Sequence, residues 1–316
     1  CLSLLVDFVQ RSKIESKVNI FYCSASDYKS SKSYLAFLKS LELIKGLHID
    51  ILSLSIGSIN RSTSREISNK IEELENVLVV ASASNNSYLT YPASLPNVLG
   101  VKRNIYSNSP AYIRRYNPPD GIELIVDFRT NNLLRTIFGL YKLDYSDSNS
   151  ILAPYVVSKL ASILCEMHSK PTKEFALDVL TKDSFQCQDQ DTLSNFICQS
   201  ERIDEDKPPI VFLPYKDDSQ IRKIIEIQRH FNHHDYLCSI LSDDIEVANF
   251  IDGHYCLNQA YSNECVKYYQ NVVSDSVILL HCNQKAGHIS VADMRINDWQ
   301  SKSNRDLQSE ILAHFS

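Results

Sequence analysis

The sequence predicts an α/β protein: a parallel sheet with helices on its faces, followed by a second, smaller α/β domain. Strand-like and helical runs alternate from residue 18 to residue 83, the pattern of βαβ units. A second alternation starts after residues 199–209, a charged, aperiodic, proline-terminated stretch that reads as a linker. At 316 residues the chain has room for two domains, taken as 1–198 and 210–316.

The elements follow in order. Leu2, Leu5, Val6 and Val9 share one helical face, so residues 1–10 are expected to close a helix that begins before Cys1. Residues 18–24 form a β-rich run, 34–47 repeat apolar residues at helical spacing, and 49–56 are strand-like. Ile67, Ile71 and Leu74, with Glu and Lys between them, predict an amphipathic helix over 65–76, and the apolar run 77–83 predicts a buried strand. Val156, Val157, Leu160, Ile163 and Leu164 give residues 154–167 an apolar helical face, with Pro154 tolerated in the first turn. A shorter helix is expected over 173–181. Past the linker, strands are expected at 210–213, 236–241 and 277–281 and a helix at 219–231.

Composition narrows the functional classes. A charged fraction of 22% and a hydrophobic fraction of 44% are those of an ordinary soluble globular chain. A formal net charge of −6 argues against general nucleic-acid binding, which needs a surplus of Lys and Arg. No apolar run approaches the roughly eighteen residues of a membrane-spanning helix. Nine cysteines, an odd number without C-x-x-C pairs, point away from a disulfide framework and toward a reducing, cytoplasmic setting. His254, Cys256, His281 and Cys282 have metal-ligating chemistry, but their spacing matches no closed zinc site, so neither a metal nor a cofactor is expected. The loop 214–219 follows a strand where a phosphate loop would lie, yet it has no glycine to let the backbone wrap a phosphate.

Three strings carry the chemistry: Leu-Ser-Leu-Ser-Ile-Gly at 52–57, Val-Val-Ala-Ser-Ala-Ser-Asn at 79–85, and Ser-Asn-Ser-Ile-Leu-Ala-Pro-Tyr-Val at 148–156. Acyl transfer requires a nucleophile, a base and donors aimed at the oxygen that becomes negative. Ser150 precedes a helix, whose N-terminus favours negative charge, and Asn85 follows a strand, at the edge where parallel sheets place their sites. Each also has a plain structural use, Ser150 as a helix cap and Asn85 as a turn residue.

In order and spacing the strings resemble those of subtilisin-like serine peptidases, as does Tyr-Pro-Ala at 91–93; the resemblance covers roughly the first half of the chain. It implies the subtilisin-like fold, a parallel sheet with helices on both faces. It also implies that Ser150 is the nucleophile and Asn85 the oxyanion donor. Ser53, Leu54, Ser55, Ile56 and Gly57 would be the edge along which an extended peptide pairs, with Gly57 leaving room for a substrate side chain. The implied function is a serine endopeptidase that cleaves peptide or protein substrates through an acyl-enzyme, as in peptide maturation. The alternative is an inactive, subtilisin-like peptide-binding protein.

The chain departs from the family pattern at several positions. Ser84 and Ser148 stand where glycine is usual, so either loop could be reshaped by a Cβ; Asn149 stands for threonine, and Leu152 stands for alanine and could crowd the helix start. The family's Asp-Ser/Thr-Gly and His-Gly-Thr motifs are absent from Cys1 onward. The resemblance therefore implies that both precede Cys1 and that residues 1–316 alone are inactive. Asp7 and His48 lack the context of either motif.

Overall fold

The computed structural model describes residues 5–6, 9–10, 14, 17–23, 30–86, 88–104, 111–127, 148–167, 171–182, 186–187, 207–215, 220–257, 262–283 and 291–315. The chain is a mixed α/β protein with two sheets rich in parallel pairs, and it divides into two compact units. The first comprises Cys1–Ile59, Thr63–Asn86 and Thr90–Asp189; the second comprises Asn60–Ser62, Ser87–Leu89 and Gln190–Ser316. The expected linker 199–209 lies outside the described residues up to 206.

In the first unit, helix α1 (Ser30–Lys45) leads to strand β1 (Ile51–Leu54), helix α2 (Ser64–Glu72) and strand β2 (Leu78–Ser82). Strands β3 (Leu99–Arg103), β4 (Tyr112–Arg115) and β5 (Leu124–Val126) follow, then helices α3 (Leu152–Met167) and α4 (Lys173–Leu180) and a short strand β6 (Gln186–Cys187). The sheet order is β1-β2-β3-β5-β4-β6. Strands β1, β2, β3 and β5 run parallel, with Leu52 beside Val79, Ala81 beside Gly100 and Val101 beside Leu124, whereas β4 pairs antiparallel to β5.

Parity along the strands decides where the core lies. Leu78 and Val80, Leu99 and Val101, and Leu124 and Val126 are two residues apart and share one face of the sheet. Against them pack Leu152, Val156 and Leu160 of α3 and Ala176, Leu177 and Leu180 of α4 in one buried cluster. Val79 and Ala81 point the other way and are also buried, so β2 is covered on both faces. That is why 77–83 reads as a continuous apolar run rather than as an alternation. Helix α4 is capped by Thr172, whose Oγ1 accepts the Phe175 amide at 3.1 Å, and α2 gives way to a turn in which Asn76 takes the left-handed conformation at φ 64.

Two expected strands of the first unit change. Residues 49–56 form a strand only over 51–54, and residues 18–23 are extended but have no ladder partner among the described residues. The helix expected over 1–10 is seen at 5, 6, 9 and 10.

The second unit carries strand β7 (Ile210–Phe212), helix α5 (Ile221–His233), strands β8 (Cys238–Ser242) and β9 (His254–Cys256), helix α6 (Ser262–Val272), strands β10 (Val277–His281) and β11 (Met294–Arg295), and helix α7 (Asn304–Phe315). Its five strands lie in the order β11-β7-β10-β8-β9 with every pair parallel. Val211, Ile240 and Leu279 from the sheet meet Ile224, Ile227 and Phe231 of α5, Leu307 and Ile311 of α7, and Trp299. Within this unit Arg61 is buried, ion-paired to Asp275 at 2.9 Å and donating to the Cys238 carbonyl at 2.8 Å.

Candidate functional site

Parallel strands end on the same edge of a sheet, so the residues that follow β1, β2 and β3 gather at one place. Onto that edge docks the turn Asn149–Ile151, which opens α3. Asn149, itself buried, holds the turn: its Oδ1 accepts the Arg103 amide at 2.9 Å and its Nδ2 donates to the Ser84 carbonyl at 2.7 Å. Ser82 Oγ accepts the Ala153 amide at 3.1 Å, and Ser55 Oγ donates to the Ser150 carbonyl at 2.7 Å. Residues at the ends of three strands thus fix where Ser150 stands.

The same turn orients Asn85. Its Oδ1 accepts the Asn149 amide at 2.6 Å; a backbone N–H can only donate, so this contact fixes which end of the side-chain amide is oxygen. Nδ2 is then left to donate to Ser148 Oγ at 3.1 Å. Ser148 Oγ also accepts the Ser150 amide at 3.2 Å and lies 2.7 Å from Ser150 Oγ. Two N–H donors, one from a side chain and one from the backbone, therefore converge on a single oxygen within hydrogen-bond reach of a serine hydroxyl. Such a point is where an acyl-transfer site would hold the oxygen of its reacting carbonyl. The start of α3 adds the positive end of a helix of 16 residues.

Of the residues singled out by sequence, the structure brings Asn85 and Ser150 together through Ser148. Ser53 and Leu54 lie in β1, beside Val80 and Ala81, and β1 is the terminal strand in the sheet order. Ser55, Ile56 and Gly57 lie beyond the strand. At Gly57 an added Cβ would come 2.6 Å from Thr90 Cγ2 and 3.0 Å from the Tyr91 carbonyl oxygen. That approach, sealed by paired bonds between Ser58 and Tyr91 at 2.7 and 2.8 Å, already requires glycine without reference to a substrate side chain.

The serines in place of glycine do not strain their loops. Ser148 sits at φ −77 and ψ 133, an ordinary extended conformation, and Ser84 is not among the residues with positive φ. Leu152 is accommodated in the α3 core. Sequence reasoning missed the bridging role of Ser148 and the locking role of Asn149. Their only signal was the run Ser-Asn-Ser, three side chains able to cap a helix.

The remaining candidates lie apart. His254 Nε2 pairs with Gln228 Oε1 at 2.8 Å, and His281 Nδ1 with Ser242 Oγ at 3.0 Å. Burial pushes the Cys256 thiol up to about 11 and the Cys282 thiol to about 12. Among the described residues no three His, Cys, Asp or Glu side chains are grouped to hold a metal ion. Cys23, Cys165, Cys238, Cys256 and Cys282 are free thiols. Pro214 accepts the Trp299 indole N–H through its carbonyl at 2.8 Å; the rest of that loop, 216–219, lies outside the described residues, as does Asp7, and His48 is exposed. No described helix is long and apolar enough to cross a membrane. The chain matches no protein-family model, no curated protein and no solved structure.

Proposed function

We propose that the protein is a subtilisin-like serine endopeptidase that cleaves extended peptides through an acyl-enzyme, with Ser150 as nucleophile and Asn85 as oxyanion donor. One observation carries this reading: Asn85 Nδ2 and the Ser150 amide aim at the same point, and that point lies beside Ser150 Oγ.

The chemistry follows from that geometry. Ser150 Oγ bonds to the carbonyl carbon of the scissile peptide while its proton passes to a base, which on the resemblance is a histidine. The carbonyl oxygen becomes negative and takes the two N–H bonds, which are stronger to an anion than to a neutral carbonyl. Collapse of the tetrahedral intermediate breaks the C–N bond, and the leaving amine takes the proton from the base. Water then attacks the ester by the same route and releases Ser150. Main-chain bonding along Ser53, Leu54, Ser55, Ile56 and Gly57 would hold the substrate extended.

A peptide-binding protein without turnover is the second reading, and it draws support from Ser148, whose hydroxyl already takes both donors. Labelling of the native-length protein with a fluorophosphonate probe separates the two. Labelling that disappears in Ser150→Ala is the expected result, with residues 1–316 alone left unlabelled. A folded native-length protein that does not label, yet binds peptides in a calorimetric titration, is the binding protein.

A further inference from the structure

We propose that the Ser148 hydroxyl is a built-in plug of the oxyanion position, and that a substrate carbonyl enters only when this hydroxyl turns away. The inference rests on the peptidase reading of Ser150. Ser148 Oγ stands 3.1 Å from Asn85 Nδ2, 3.2 Å from the Ser150 amide and 2.7 Å from Ser150 Oγ. These are the distances a substrate carbonyl oxygen would need from the same atoms, and two oxygens cannot share one position. In the resting protein the hydroxyl stands in for the substrate.

The surroundings allow it to leave. The turn is anchored without Ser148: Asn149 binds the Ser84 carbonyl and the Arg103 amide, and Ser55 binds the Ser150 carbonyl. Rotation of Ser148 about χ1 to another staggered position moves Oγ and leaves the backbone, at φ −77, where it is. Both donors are then released together, aimed at an empty point. A developing oxyanion binds such donors about twice as strongly as a neutral hydroxyl does, so the plug slows entry without cancelling transition-state stabilisation. On the resemblance, a glycine at this position would leave the point permanently open. Serine makes opening a separate step.

A simple cap would use the same geometry, since Ser148 is also the N-cap of the turn. The two roles differ in what removal of the hydroxyl does. Losing a cap lowers stability and does not accelerate chemistry, whereas losing a plug accelerates it.

The test is the second-order rate of fluorophosphonate labelling at Ser150 in native-length protein, because the probe's phosphoryl oxygen must occupy the position Ser148 Oγ holds. Ser148→Gly and Ser148→Ala are compared with wild type and with Ser148→Thr, which keeps the hydroxyl, and Tm is recorded for each. The expected result is labelling about five- to tenfold faster in the Gly and Ala variants, the worth of one to two neutral hydrogen bonds, with Thr near wild type and Tm unchanged or lowered. Either the Gly or the Ala variant suffices if the other fails to fold. Labelling of Ser150 that is equal or slower without the hydroxyl overturns the plug and leaves the peptidase reading intact. No labelling of Ser150 in any folded variant overturns both.

Discussion

Asn149 makes three ties: its Oδ1 takes the Arg103 backbone amide, its Nδ2 gives to the Ser84 backbone carbonyl, and its own backbone amide gives to Asn85 Oδ1. A leucine of similar size would leave the part-buried Arg103 amide and Ser84 carbonyl without those partners. Asn149→Leu is therefore expected to destabilise the protein by about 2–4 kcal/mol, from two part-buried groups left unmet at about 1–2 kcal/mol each, the lower part of the range for fully buried ones. Urea unfolding measures this, and a loss under about 1 kcal/mol would show that water replaces the side chain. In the sequence this residue registered only as a substitution in a motif, since the partners of Asn149 stand 46 and 65 positions away. Ser150 and Asn85 were legible because their spacing belongs to a pattern. The residue that joins them was not.

At the scale of elements, β3 shows why part of the sheet went unseen. Leu-Gly-Val-Lys-Arg neither alternates nor forms a long apolar run, and β5 is only three residues long, so neither carries a clear periodic signal. What makes β3 a strand is its position between β2 and β5. Residues 18–23 show the converse: strand-forming composition with no ladder among the described residues. Helices α1, α3 and α5 and the buried strands β2 and β10 were legible because burial imposed a pattern on many consecutive residues. Gly100 is the tightest point of β3: an added Cβ would collide with the Ala93 carbonyl oxygen and come 2.8 Å from Ile122 Cδ1. Gly100→Ala should cost about 2–3 kcal/mol, in the range for overpacking, and lower Tm accordingly. A variant as stable as wild type would mean that the segment carrying Ala93 can retreat from the sheet.

For the molecule as a whole, the sequence reading places a linker at 199–209 between two α/β domains, and the two compact units part between Asp189 and Gln190. That Asn60–Ser62 and Ser87–Leu89 belong to the second unit was invisible, because only long-range packing assigns them there. The units should also differ in their response to acid. In the second, burial lowers His281 from 6.5 to about 4, against the opposing pull of Asp243 and Asp244. Between those values the unfolded chain binds the proton and the folded one does not, so stability is full above pH 6.5 and falls as pH drops toward 4. The total is about 3 kcal/mol, and burial shifts His254 the same way. In the first unit burial alone would raise Asp120, but Arg115 and Lys102 hold it below its ordinary 3.8, so its contribution is lost only under that pH. Hydrogen exchange, corrected for intrinsic rate, should show β8 and β10 losing protection between pH 6.5 and 4 while β3 and β5 keep theirs. Simultaneous loss in both sheets would contradict this. The ties around Ser150, from Ser55, Ser84, Asn85, Ser148 and Asn149, join uncharged groups, and none of them titrates in that window. On the proposed peptidase reading, an acid limb in a rate–pH profile, taken where the first unit stays folded, would therefore report the group that takes the Ser150 proton, which makes that profile a direct means of finding the acceptor's chemical kind.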